Sequence, residues 1–207
     1  MIAPSLPEGY DVTKHVRAGG PDRHVTVGFD RDETHIPRFL IQFHYQTGTD
    51  PVRWDAIVRM DHNETTSDGH DVYEEGLHVD ASRREGATVH LQLRHAPLPP
   101  NRGVVIRRSA EYLIREGGYF VDVYTGRITP SDPPRWSDGG ESAPTFIPPD
   151  RVQGGMSQEP PAEDALTLEE LSDALADATG TTREEIEHGA DELEIAPPSE
   201  ATVLDDE

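Results

Sequence analysis

Four side chains near the middle of the chain are of types that bind phosphate and transfer protons. They are Arg59, Asp61, His70 and His78, all within 20 residues. Histidine titrates near neutral pH and serves as a general acid or base, and arginine binds phosphate oxygens through paired hydrogen bonds. We expect Arg59 to bind a phosphate group, His70 and His78 to exchange protons, and Asp61 to orient one histidine. The alternative is a non-catalytic interaction module whose sheet merely has a polar solvent face.

A metal site would need a sharp reversal of the chain. His70, Glu74 and His78 are spaced four residues apart, as ligands on one helix face would be. However, Val72 and Gly76 disfavour a helix, and on a straight strand His70 and His78 would lie about 26 Å apart. A turn near Glu74 would be required, so we predict no metal and no cofactor. The chain has no cysteine, which excludes thiolate chemistry.

Alternation of apolar and polar residues predicts the strands that would position these side chains. The pattern occurs at residues 24–29, 38–46, 54–61 and 88–95. If the apolar side of each strand is buried, the remaining side chains share one polar face. The residues expected on that face are His44, Arg59, Asp61, His78, Asp80, His90 and Arg94.

A helix is predicted after the sheet. Asn101 is a typical N-cap, the Gly117-Gly118 pair is typical of a helix end, and an apolar stripe between them would cover the sheet. The valine and aromatic residues at 119–124 favour a last strand. The expected fold is therefore α+β, a small antiparallel sheet with one main covering helix.

Charge and composition divide the chain into segments. Residues 1–128 hold 19 acids and 15 bases, whereas residues 129–207 hold 21 acids and 3 bases. Proline, glycine, serine and aspartate crowd the region after the predicted domain, which is typical of a disordered linker. The predicted segments are a flexible N-terminus at 1–19, an α+β domain at 20–128, a linker at 129–163, a short helical segment at 164–195 and a disordered acidic tail at 196–207.

Two capping boxes predict short helices in the acidic half. One joins Thr167 to Glu170 and the other joins Thr182 to Glu185. Leu168, Leu171 and Leu175 share one face of the first helix. We interpret these helices as a regulatory or docking arm, for the domain itself or for a separate protein partner. A solubilising tail is the alternative.

The overall composition is typical of proteins that work in molar salt. The net charge is −22, and Lys14 is the single lysine among 18 basic residues. A strongly negative surface keeps a protein hydrated and soluble under those conditions; an acidic, partly disordered protein encoded by a GC-rich genome is the alternative. No apolar run is long enough to cross a membrane and no secretory leader is visible, so we expect a cytoplasmic protein. The absence of a long basic stripe argues against double-stranded DNA as a partner.

The spacing of the central residues resembles a known group of small proteins. Arg59-x-Asp61, the Gly69-His70 pair and a further histidine at His78, within residues 36–116, resemble the TumE-like toxin components of prokaryotic toxin–antitoxin pairs and related uncharacterised haloarchaeal domains. The resemblance implies a small α+β domain acting on RNA or the translation machinery, with an antitoxin as partner. It carries over Arg59, Asp61, His70 and His78 as site residues. The chain departs from that pattern in lacking closely paired histidines and in its long acidic extension.

Overall fold

The structure is a computed structural model, and it describes residues 2–94, 98–131, 133–136 and 165–189. None of the helices in these ranges is long and apolar enough to cross a membrane. The expected linker lies outside the described residues except at 129–131 and 133–136. The expected tail at 196–207 lies wholly outside them.

The described residues form an antiparallel sheet in which each strand pairs with the next along the chain. The strands are β1 (Val12–Arg17), β2 (Arg23–Phe29), β3 (Arg38–Thr49), β4 (Val52–Asn63), β5 (His78–Ala81) and β6 (Val89–Gln92). The longest pair, β3 and β4, is linked by the turn at Asp50 and Pro51. The predicted α+β class is confirmed, and the strands predicted at 24–29, 38–46 and 54–61 correspond to β2, β3 and β4.

One face of the sheet carries the apolar core. Phe39, Ile41 and Phe43 of β3 are fully buried, because each lies opposite an apolar residue of β2 and the helices cover them. The helices in the described part of the chain are α1 (Val72–Glu75), α2 (Arg102–Arg115), α3 (Gly117–Tyr124), α4 (Leu168–Thr179) and α5 (Arg183–His188). Helix α2 is the predicted covering helix, and the Asn101 side chain accepts a hydrogen bond from Gly103 N as its N-cap.

The strand predicted at 119–124 is wrong, because this segment is α3. Helix α2 ends at Arg115, just before the predicted Gly117-Gly118 pair, but Gly117 also begins α3. This glycine packs its bare Cα against the ring of Phe43, where a Cβ would come within 2.6 Å of Cζ. Phe120 and Val123 are thereby buried on the core, and this packing overrides the strand preference of the valines and aromatic residues.

The N-terminus is also ordered, contrary to the flexible segment expected at 1–19. Strand β1 begins at Val12, and residues 2–10 cross the face of the sheet that lies away from the helices. Trp54 Nε1 donates to the Ile2 carbonyl at 2.8 Å, and a Cβ on Gly28 would collide with Tyr10. His44, expected on an open face, is 5% exposed, and its Nε2 lies 2.9 Å from the Thr26 hydroxyl.

Helices α4 and α5 pack on the same core as the sheet. Leu171, Leu175 and Ile186 are fully buried, and both helices contact α2. Both predicted capping boxes are present, at Thr167 and Thr182. Of the three leucines that we expected to dock, Leu171 and Leu175 are thus buried within this chain and Leu168 is partly buried.

Candidate active site

Strands β5 and β6 bring three polar side chains together on one face of the sheet, from buried His78 to exposed His90. Asp80 lies opposite His90 in the register of the two strands, and His78 lies two residues before Asp80. Side chains two residues apart on a strand share a face, and cross-strand partners have Cβ atoms about 5 Å apart. His78, Asp80 and His90 are therefore held together by the backbone pairing of this hairpin.

A fourth side chain, His70, reaches the group because the chain reverses between it and His78. Asp71 caps α1, and Gly76 ends this single helical turn with φ at 87°, a conformation that favours glycine. At the start of the reversal the chain passes close to β4, where a Cβ on Gly69 would collide with the Asn63 carbonyl. The structure thus contains the tight turn that His70 and His78 need in order to lie in one site.

The three imidazole rings form a continuous row. The centroids of His70 and His78 are 4.0 Å apart, and those of His78 and His90 are 3.9 Å apart. Carboxylates hold both ends, since His70 Nδ1 lies 2.8 Å from Glu75 Oε2 and His90 Nδ1 lies 3.0 Å from Asp80 Oδ1. We call these five residues the histidine cluster.

Arg59 and Asp61 lie on β4, beside the histidine cluster. Arg59 donates to both carboxylate oxygens of Asp61, at 3.0 and 3.2 Å, and it pairs with Asp80 in the register of β4 and β5. About half of the Arg59 side chain remains exposed, at 53%. Its guanidinium is therefore oriented by a carboxylate and still accessible to a ligand.

Burial and neighbouring charges lower the pKa of His78 but raise the pKa of Arg59 overall. Burial lowers the pKa of His78, and neighbouring His70 and His90 lower it further, whereas the nearby Asp80 and Asp61 carboxylates oppose this change. Burial also tends to lower the pKa of Arg59, but its hydrogen bonds to Asp61 and the charge of Asp80 raise it overall. Arg59 is thus a permanent cation beside His78, whose lowered pKa favours the uncharged imidazole.

The four residues predicted from the sequence fall into two neighbouring pairs. His70 contacts His78, and Arg59 contacts Asp61, so Asp61 holds the arginine instead of orienting a histidine. The carboxylates that contact histidines of the cluster are Glu75 and Asp80, which we did not assign to the site. Asp80 and His90 could have been found, because both were expected on the polar face and the short hairpin brings them together.

Part of the cluster could hold a metal ion. One nitrogen of His78, one oxygen of Asp80 and one nitrogen of His90 all lie within 4.8 Å of one another. This group differs from the set that we considered from the sequence. Glu74 is not part of it, and its neighbour Glu75 contacts His70 instead.

Comparison with known proteins links the sheet and α2 to one family model. Residues 12–113 match the model of a domain of unknown function, DUF7718. The matched region begins with β1 and ends within α2, so it contains every residue of the histidine cluster. No curated protein and no solved structure matches the chain. The comparisons give no link to the TumE-like toxins.

Proposed function

We propose that the protein binds and cleaves single-stranded RNA at the histidine cluster. The observation that carries this proposal is the convergence of three imidazoles with an exposed, carboxylate-oriented arginine on one patch of the sheet. Paired histidines can take and give protons in one reaction, and an arginine can hold the phosphate beside them. The exposure of Arg59 and His90, at 53% and 59% of their side chains, leaves room for a polymeric substrate.

The chemistry of the proposed reaction favours RNA over DNA. One imidazole of the His70–His78 pair takes the proton of a ribose 2′-hydroxyl, and the oxygen attacks the adjacent phosphorus. The other imidazole, protonated, gives its proton to the departing 5′-oxygen. The products are a 2′,3′-cyclic phosphate and a 5′-hydroxyl, so no water is consumed in this step. DNA lacks the attacking hydroxyl.

The acidic composition supports a high-salt setting for this activity. At a net charge of −22, the protein would repel RNA in dilute buffer. At about 1 M salt the screening length falls to about 3 Å, so repulsion beyond direct contact is largely removed. We therefore propose that the protein works in a cytoplasm at molar salt, where stacking of a base on the exposed His90 imidazole adds to the phosphate contact.

Cleavage assays on purified full-length protein test the proposal. In 1 M KCl with EDTA, wild type should cleave a labelled single-stranded RNA to products with cyclic phosphate ends and leave DNA of the same sequence intact. His70→Gln should slow cleavage by about 10²–10⁴-fold, the usual contribution of one general acid or base. His188→Gln, a change at an exposed histidine on α5, is the matched control and should cleave at the wild-type rate.

Two results would refute the proposal. One is a wild-type protein that neither binds nor cleaves RNA under these conditions, and the other is equal cleavage by wild type and His70→Gln. A toxin-like cellular role makes a further demand. Expression of wild type, but not of His70→Ala, should slow the growth of a host adapted to high salt.

A further inference from the structure

We propose that the histidine cluster binds a divalent transition-metal ion such as Zn²⁺, with His78, Asp80 and His90 as ligands. The proposal rests on the convergence of one donor atom from each residue within 4.8 Å of the other two. It does not depend on the proposed RNA cleavage.

The spacing of these donors is close to what the ion requires. Zinc binds imidazole nitrogen at about 2.0–2.1 Å and carboxylate oxygen at about 2.0–2.2 Å, so neighbouring ligand atoms of a tetrahedral site lie about 3.3 Å apart. His90 Nδ1 and Asp80 Oδ1 are already 3.0 Å apart. The backbone pairing of β5 and β6 fixes all three residues, so small side-chain rotations would complete the site.

His70 supplies an independent observation that points to the same ligand. Its Nδ1 faces Glu75 Oε2 at 2.8 Å, whereas its Nε2 is buried and has no hydrogen-bond partner among the described residues. A histidine that binds a metal through one nitrogen usually directs the other at a carboxylate. The His70–Glu75 pair has that arrangement, and the His70 ring lies 4.0 Å from the ring of His78. The donors that already converge do not include His70, so its ring would have to turn toward His78 to supply a fourth ligand.

The donor types select the class of ion. Ca²⁺ and Mg²⁺ prefer oxygen ligands, whereas three imidazoles and one carboxylate suit Zn²⁺, Ni²⁺, Cu²⁺ or Fe²⁺. The absence of cysteine excludes the thiolate sites that are common for structural zinc. The site lies near the edge of the sheet, with His90 partly exposed, so an ion can enter and leave without unfolding.

Metal binding and the proposed proton transfer would exclude each other. An ion on His70 and His78 occupies the lone pairs that proton transfer needs, so Zn²⁺ should inhibit the RNA cleavage described above. Cleavage is measured in EDTA and metal binding is measured without RNA. Failure of one proposal therefore leaves the other intact.

Cobalt is the probe for the test, because four-coordinate Co²⁺ absorbs visible light strongly. Full-length protein is titrated with Co²⁺ in 1 M KCl, which screens unspecific attraction to the acidic surface. We expect a visible band that saturates at one equivalent and disappears when one equivalent of Zn²⁺ is added. His90→Ala should lose the band, and Glu75→Gln should weaken binding by about 10–100-fold, as for other partners of metal-binding histidines.

The controls separate site loss from unfolding and from adventitious binding. The His90 side chain is 59% exposed, so His90→Ala should keep the wild-type circular dichroism spectrum. His188→Ala removes an exposed histidine on α5 and should bind like wild type. The proposal is wrong if no band saturates at one equivalent, or if folded His90→Ala binds Co²⁺ as wild type does.

Discussion

A second group of histidines is buried where the N-terminal segment crosses the sheet. His24 and His44 are 9% and 5% exposed. His24 Nε2 lies 2.9 Å from His15 Nδ1, and His44 Nε2 lies 2.9 Å from the Thr26 hydroxyl. Burial, with smaller contributions from neighbouring imidazoles, lowers the pKa of both to about 4. These two side chains are therefore uncharged in the folded protein at neutral pH.

Protonation of these residues should destabilise the fold in acid. Since the folded pKa of about 4 is below the ordinary 6.5, the unfolded chain binds protons first as the pH falls. The stability present above pH 6.5 is lost between about pH 6.5 and 4, by at most about 3 kcal/mol for each histidine. Urea unfolding at a series of pH values measures this, and His44→Gln should have a shallower pH dependence than wild type.

An exposed histidine provides the comparison for that experiment. His188→Gln should keep the wild-type dependence on pH, because His188 lies on the surface of α5. If His44→Gln and wild type lose stability in parallel from pH 7 to pH 4, then His44 is not a source of acid sensitivity.

Helices α4 and α5 extend the core beyond the matched family region. Leu171, Leu175 and Ile186 are fully buried, and a Cβ on Gly103 of α2 would come within 2.9 Å of Ile186. Arg31 Nη2 also donates to the Asp177 carbonyl at 3.1 Å. These contacts favour docking of the arm in cis over capture of a separate partner by the same leucines.

Truncation after Ile128 should therefore destabilise the domain instead of leaving it unchanged. The truncation uncovers the apolar side of α2 and also removes much of the negative charge. Leu175→Ala isolates the packing contribution, because it keeps every charge and should lower the free energy of unfolding by about 2–5 kcal/mol. Denaturant titration in 1 M KCl measures both variants.

Asp173→Ala is the matched surface change on the same helix. Asp173 pairs with Arg183 at 3.5 Å and its side chain is 58% exposed, so its loss should cost no more than about 1 kcal/mol. A truncated protein as stable as the full chain would mean that helices α4 and α5 do not contribute to the stability of the domain.

The elements differ in how far the sequence alone could predict them. Asn101 and the Thr167 box predicted the starts of α2 and α4, since capping depends on a few local residues. The alternation in 38–46 predicted β3 because strand periodicity is likewise a local property.

Strand β1 was missed because Lys14 and His15 interrupt its apolar pattern. The packing of residues 2–10 on the sheet was missed because this segment has no periodicity, and its position depends on distant contacts such as Trp54 with Ile2. Convergence of His70 on His78 likewise required the φ of Gly76, which the sequence permits but does not dictate.

At the scale of the whole molecule, the large negative net charge is the feature that should make stability depend on salt. The chain carries −22, and residues 129–207 account for −18 of it. Repulsion between the negative charges destabilises the folded state in dilute buffer. Added salt weakens this repulsion because it shortens the distance over which the charges interact. Solution conditions should therefore affect this protein as much as single substitutions do.

Raising KCl from 0.1 to 2 M should increase the melting temperature. A gain of about 2 kcal/mol would correspond to roughly 4–8 °C for a chain of this size. Scanning calorimetry measures the change. A chain ending at Gly189 loses seven carboxylates and no base, which brings the net charge from −22 to −15, and it should respond less to salt. An equal response of the two chains would assign the effect to something other than their charge difference.

The pairing of Leu166 with β1 also sets an order of events during synthesis. Arg17 N donates to the Leu166 carbonyl and Leu166 N donates to the His15 carbonyl, both at 2.9 Å. The first strand of the sheet thus keeps a bare outer edge until a much later part of the chain has been translated. At about 5–20 residues per second, the stretch between the end of α2 and the end of α5 takes roughly 4–15 s to make. An unpaired edge can pair with another chain. Nascent copies on neighbouring ribosomes are therefore exposed to one another until the segment around Leu166 has been made and covers the middle of β1.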